Sequence, residues 1–273
     1  MTRGIAMLPG PTIIRKCSAC SNLVGQPTFC SGNLGGAVEW TDGKLDAPML
    51  PTESWLVKCP HCHAMLWFDE QEECGQQGAC FEEIEESEYL ARMGAREEGT
   101  GLDPDGHHHA QDKFSGSRMV DLPSRDDIFN FLEQNSFEPV KERYLHVGAW
   151  WAANDDRRHG AREQAMSDRE VANLERLLVI LDPSDEGSLI MKAEALRELG
   201  RFEAAIGLLA GRPFRSPMMP AVRAIKTLAT LGDPFVAVVP QNPTFFAASK
   251  GPRGKSFIAV VRHQSRRERW EAQ

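Results

Sequence analysis

Four cysteines are spaced for chemistry, as Cys17-Ser-Ala-Cys20 and Cys59-Pro-His-Cys62. Two cysteines separated by two residues turn tightly enough for both sulfurs to face one point, and two such turns complete a tetrahedron. Zinc accepts four thiolates at about 2.3 Å. A catalytic zinc keeps one position open, whereas four thiolates close the shell. The spacing therefore predicts one structural Zn2+ held by Cys17, Cys20, Cys59 and Cys62. Free buried thiols or two disulfides fit paired CxxC elements less well in a reducing compartment. Of the other three cysteines, Cys30 reads as a lone packing residue. Cys74 and Cys80 have five residues between them, a poor knuckle spacing, so a second metal on them with His61 or His63 is disfavoured.

The knuckles need strands to hold them. Thr12–Lys16 leads into Cys17, Trp55–Lys58 leads into Cys59, and Ala64–Phe68 leads away from Cys62. Their β-branched and aromatic residues suit a half-buried pleat. Strand, knuckle, strand resembles the zinc ribbon family over residues 12–68, which implies a small antiparallel β fold around the metal. Between the knuckles, Ser21 to Trp55 is a long excursion. Asp42-Gly43 within it is a hairpin turn signal, so an extra hairpin packed on the ribbon is expected. Trp40, Met49 and Leu50 would make it a contact loop.

Charge divides the chain more sharply than composition does. The net charge of −8 over 273 residues resolves into +1 for 1–68, −12 for 69–112 and +3 for 113–273, with +5 in 235–273 alone. The length allows one large or two modest domains. No apolar run approaches 18 residues, so no transmembrane helix is expected. Met1–Pro11 lack a basic stretch followed by an apolar core, so no secretory leader is expected. Both features, with the cysteine usage, point to a cytoplasmic protein.

Residues 69–100 open on Asp69-Glu70-Gln71-Glu72-Glu73. Phe81, Ile84 and Leu90 give a weak apolar side, so a solvated acidic helix is expected. Residues 99–121 are rich in Gly, Pro, Asp and Ser and read as a linker. The His107-His108-His109 run inside it reads as a polar loop, with metal binding as the alternative. Ser124 is an N-cap, with Asp126 and Asp127 in the first turn. A second helix should run from about Pro139 to Asn154, with Tyr144, Val147 and Trp151 on one side. The Trp150-Trp151 pair reads as core, in preference to a functional patch with Asn154-Asp155-Asp156-Arg157-Arg158. Ser167-Asp-Arg-Glu170 is a capping box. The helix it opens stops at Asp182-Pro183. Two more helices, about Gly187–Leu199 and Phe202–Ala210, meet at Gly200-Arg201.

That last pair resembles a tetratricopeptide repeat. Leu189, Ala193 and Leu196 match the first helix, Gly200 and Phe202 the turn, and Ala205, Ile206 and Leu209 the second helix. Arg212 and Pro213 depart from the pattern. Partial units flank it, so the resemblance covers 167–232 and implies stacked helix pairs with a concave surface. Phe235–Val239 and Phe257–Val261 read as two strands of a hairpin. The basic end, with Arg262, Arg266, Arg267, Arg269 and Trp270, is a weak nucleic-acid cue. The whole chain also resembles a group of uncharacterised bacterial proteins. These join a ribbon bearing SGN…W-x-DGK…APMLP to a helical region with AWW-x-x-ND-x-x-R and KAE-x-x-RELG-x-F. That resemblance carries no activity.

The fold class expected is α+β. It comprises a zinc ribbon with hairpin insert over 1–68, an acidic helix and linker over 69–121, a tetratricopeptide-repeat-like helical domain over 122–234, and a β-hairpin with basic tail over 235–273. No Walker loop, dinucleotide glycine fingerprint, HExxH or GxSxG is present. The favoured function is therefore a zinc-binding adapter that contacts a protein partner, without catalysis or a membrane. A zinc-ribbon nucleic-acid binder is the alternative, weakened by the acidic block beside the ribbon. An enzyme with a site assembled from distant residues is third.

Overall fold

The computed structural model describes residues 8–51, 53–78, 114, 116–161 and 165–240. It divides into two compact units. One comprises 1–33 with 52–122, and the other 34–51 with 123–273. The architecture is α+β, with an antiparallel-rich β region before six helices among the described residues.

In the first unit, β1 (Leu8–Lys16) and β2 (Leu23–Ser31) form an antiparallel hairpin around the first knuckle. Two short strands of the second unit come next, β3 (Val38–Glu39) and β4 (Leu45–Asp46). Back in the first unit, β5 (Leu56–Lys58) and β6 (Met65–Trp67) form a second hairpin around the second knuckle. A 3-10 turn, Phe68–Glu70, follows, then β7 (Glu72–Gln77) and β8 (Arg118–Met119). The larger sheet has the order β7-β1-β2-β8.

Two parts of this unit depart from the sequence reading. The start of the acidic stretch is a strand, β7, which the sequence reading did not expect. Its reason is Arg15. The guanidinium donates to the carbonyls of Asp69, 3.1 Å, and Gln71, 2.7 Å, and to the Glu73 carboxylate at 3.0 Å. Lys16 lies 3.9 Å from Glu72. The acidic residues thus pair across strands with the bases that precede Cys17. The helix expected on Phe81, Ile84 and Leu90 lies outside the described residues. The second departure is at the end of the expected linker. β8 pairs parallel with β2, and Asp121 exchanges two backbone hydrogen bonds with Lys58. This short segment closes the gap between the two hairpins. Its Val120 packs on a core of Cys17, Val24, Val57, Cys59, Leu66 and Phe68.

The second unit is built on helices α1 (Arg125–Gln134), α2 (Pro139–Arg158), α3 (Asp168–Ile180), α4 (Glu186–Glu198), α5 (Phe202–Leu209) and α6 (Met219–Thr230). Ser124 and Ser167 both make full capping boxes, with Asp127 and Glu170. Gly200, at φ 74°, turns the chain between α4 and α5. Each helix packs on the next, and α4 also meets α6. Val147, Trp150, Leu174, Leu177, Leu181 and Ala195 form one core of this array. Ile190, Leu209, Val222 and Ile225 belong to a second.

The hairpin β3–β4 exists and turns at Asp42-Gly43, with Gly43 at φ 80°. It belongs to the helical unit, where the sequence reading had expected it to pack on the ribbon. Val238 bridges to Trp40, Thr41 donates to the Ala237 carbonyl at 2.9 Å, and Val239 donates to Glu39 at 2.8 Å. Phe235–Val239, expected as the first strand of a C-terminal hairpin, is not a regular strand but meets the insert through this isolated bridge. Phe257–Val261 and the basic tail lie outside the described residues.

One test of the β7 assignment follows from Gly75. It sits opposite Ile14 at φ 145°, and a Cβ there would lie 2.8 Å from the Phe114 ring. Gly75→Ala should destabilise this unit by about 1–3 kcal/mol, read as faster hydrogen exchange in β1 and β7. Unchanged exchange would mean that Glu72–Gln77 is not an inner partner of β1.

Candidate functional site

The two knuckles are built alike. Cys17 donates its N–H to the Asn22 carbonyl and accepts from Ser21; Cys59 does the same with Ala64 and His63, all at 2.8–2.9 Å. Ser21 and His63 follow the second cysteine of each knuckle at φ 63° and 61°. Each thus takes the left-handed conformation that non-glycine residues rarely adopt. The strain is held in place by the hairpin on either side and by the hydrogen bonds of the turn.

These turns bring four sulfurs together. All lie within 4.8 Å of one another, with Cys17 to Cys62 at 3.8 Å and Cys20 to Cys59 at 3.7 Å. A tetrahedron with metal–sulfur bonds of about 2.3 Å has edges of about 3.8 Å, so the arrangement fits a metal ion. Cys17 and Cys59 are buried and Cys62 is exposed. Burial pushes the Cys17 thiol up to about 12, whereas the Asn22 backbone N–H draws Cys20 down to about 6. Four thiolates at this range repel strongly, and a dication between them removes that repulsion. The Asn22 side chain donates to the Cys20 sulfur at 3.4 Å, and Gln71 accepts from the Ser18 N–H at 2.9 Å. These bonds orient the first knuckle from outside the ligand set.

Among the described residues these four are the group that converges in this way. Cys74 sits apart on β7 and its sulfur faces the Glu72 carbonyl. Cys30 is disulfide-bonded, which replaces its reading as a lone packing thiol. Cys80 and His107, His108 and His109 lie outside the described residues.

A second constellation, in the helical unit, escaped the sequence reading. Asp42, at the tip of the β3–β4 hairpin, is fully buried. Its carboxylate accepts from the Arg158 guanidinium, from Asn154 Nδ2 at 3.0 Å and from the Lys44 N–H at 3.1 Å. Its carbonyl accepts from Trp151 Nε1 at 3.0 Å. Asn154 Nδ2 also reaches Glu198 Oε1 at 3.0 Å, and Trp150 Nε1 donates to Glu198 Oε2 at 2.9 Å. Beside it Arg197 grips Glu194 through two nitrogens, at 2.8 and 2.5 Å, and donates to the Asp233 and Phe235 carbonyls. Arg158 lies over the Trp40 ring, 5.4 Å from its centre.

Burial pushes Asp42 up to about 6 against the pull of Arg158. Burial, with the neighbouring Glu194 and Asp42, pushes Glu198 up to about 8. Both carboxyls are buried, and their oxygens are met by the donors named above. α2 runs one turn further than Asn154, to Arg158, and that turn brings in both arginines. Trp150 is in the core as expected, and of the run Asn154–Arg158 the side chains of Asn154, Arg157 and Arg158 are buried while Asp156 is exposed. A signal was present in the sequence. The strings Trp40-Thr-Asp-Gly-Lys44, Ala149-Trp-Trp151 through Asn154 to Arg158, and Lys192-Ala-Glu194 through Arg197 to Gly200 all meet here.

No protein-family model matches this sequence, and neither curated proteins nor solved structures give a match. No described helix is long and apolar enough to cross a membrane.

Removing one partner of the Asp42–Arg158 pair leaves a buried charge alone. Arg158→Met should cost about 3–5 kcal/mol, and adding Asp42→Asn should recover much of it. A double-mutant cycle by denaturant unfolding measures this. Additive losses would mean that the two side chains do not act on each other.

Proposed function

We propose that the protein is a non-catalytic zinc protein that acts as an adapter for a protein partner. The observation that carries this is the convergence of four cysteine sulfurs at tetrahedral spacing. A full set of protein thiolates leaves no position for water or substrate, so the ion, Zn2+ by ligand type, is a staple. It would complete a unit whose core is small and lies directly on Cys17 and Cys59. The buried Asp42, Glu170 and Glu194 of the helical unit support the same reading, since each is committed to an arginine.

The surface for the partner is then the helical array. Its α4–α5 pair, turning at Gly200, is the part that resembles a tetratricopeptide repeat, and stacks of such pairs present concave surfaces. Trp40 is taken up by Arg158 and by its own hydrogen bond to Asp46 at 2.8 Å. The contact role in the insert therefore passes to Met49 and Leu50, which are half-buried.

Elemental analysis of protein purified without chelators should give one zinc per chain. Titration with zinc should release protons and weaken as pH falls. A ratio near zero, with Cys17, Cys20, Cys59 and Cys62 all titratable, would remove the staple. Affinity capture should recover a partner that is lost on replacing Met49 and Leu50 by serine while zinc stays bound. Tight, salt-dependent binding to DNA or RNA would instead favour the nucleic-acid alternative.

A further inference from the structure

The buried charges of the helical unit do not balance. Asp42, Glu170, Glu194 and Glu198 are the buried acids, and Arg157, Arg158 and Arg197 the buried bases. Each base is committed: Arg158 to Asp42, Arg157 to Glu170 at 3.3 Å, and Arg197 to Glu194. Glu198 is left over. Its hydrogen-bond partners are the neutral donors Trp150 Nε1 and Asn154 Nδ2, and the latter is shared with Asp42.

We propose that Glu198 is held as the neutral carboxylic acid and serves as a proton-operated latch for the insert, residues 34–51. With the proton on, Asn154 can serve both carboxyls and the hairpin tip stays seated. When the proton leaves, two carboxylates share the one Asn154 amide, and the charge added beside Asp42 loosens its seat.

The groups that face Glu198 come from every element around it. From α2 come Trp150, Asn154 and Arg157, and from the insert Asp42. From its own helix come Glu194 and Arg197. Glu170 of α3 and Arg157 line a small cavity that Glu198 also lines, with room for about one water. Asp233 adds its charge near Arg197. Lys44 of the insert is engaged outside, with Asp155 at 2.5 Å. Arg197 favours the ionised form, but burial together with Glu194 and Asp42 outweighs it.

The sign follows from linkage. A carboxyl whose value is raised from 4.5 to about 8 in the folded state binds its proton more tightly there than in the unfolded chain. Its contribution is complete below the unfolded value and is lost as pH rises through the folded one. Asp42, raised from 3.8 to about 6, adds a loss of the same sign in a more acidic window. As far as Glu198 is concerned, the insert should therefore be seated most firmly at or below about pH 4.5 and loosen as the pH rises to about 8.

Hydrogen exchange of residues 38–46, corrected for the intrinsic pH dependence of exchange, should lose protection between pH 6 and pH 9. Glu198→Gln, which mimics the neutral acid, should keep protection flat over that range. The second measurement needs no variant. The carboxyl carbon of Glu198 in 13C-labelled full-length protein should titrate several pH units above the exposed glutamates. A Glu198 carbon that titrates near pH 4.5, or a Glu198→Gln protein with an undiminished pH slope, overturns the proposal. If Glu198→Gln fails to fold, the carbon titration decides alone.

Discussion

A carboxylate taken out of water costs several kcal/mol unless a cation and N–H donors meet it. Asp42 is where this protein satisfies that condition, and much of its second unit follows from how it does so. The cation is Arg158, in the last turn of α2, and the neutral donor is Asn154 one turn earlier. Trp151 takes the backbone carbonyl of the same residue. A twenty-residue helix is therefore needed, since one that ended at Asn154 would lack the arginine. The hairpin that carries Asp42 is drawn into the helical unit, although it lies in sequence between the two cysteine knuckles. The strand-like residues 237–239 then complete its edge.

The metal centre obeys a different constraint. Its four sulfurs need strict placement, and the chain achieves this by repeating one turn twice. Each repeat has the same two backbone hydrogen bonds and the same left-handed residue after its second cysteine. Neither Ser21 nor His63 is a residue that favours this conformation. Both are held by antiparallel hairpins, β1–β2 and β5–β6, whose inner residues form the core beneath the sulfurs. Zinc, in the proposed function, offsets the scarcity of other apolar burial in a unit of this size.

The buried charges of α4 show how polar interiors are organised here. Glu194 and Arg197 face each other one turn apart on one helix and present the remaining guanidinium donors to the backbone of 233–235. Glu198, one residue further, has no arginine of its own. The difference arises from helical geometry. Adjacent positions diverge by about 100°, so Glu198 turns away from Arg197 and meets Trp150 and Asn154 of α2.

The sequence by itself determined what depends on near neighbours. The CxxC pairs specify a four-sulfur site because two residues between cysteines suffice to aim both side chains. The helix starts at Ser124 and Ser167 are local hydrogen-bond patterns, and the turn at Gly200 is a local backbone preference. The Asp42-Gly43 hairpin belongs to the same class. What only the tertiary structure decided depends on partners far apart in the chain. Glu72 and Glu73 lie in a strand because β1, more than fifty residues earlier, pairs with them and its Arg15 and Lys16 meet their carboxylates. The side chains of Asn154 and Arg158 are interior because Asp42, more than a hundred residues earlier, is their partner. Taken alone, Asp in a turn and Asn or Arg at a helix end are what a solvated surface also shows. Their burial could be recognised only once the fold placed them within hydrogen-bonding distance and removed the water between them.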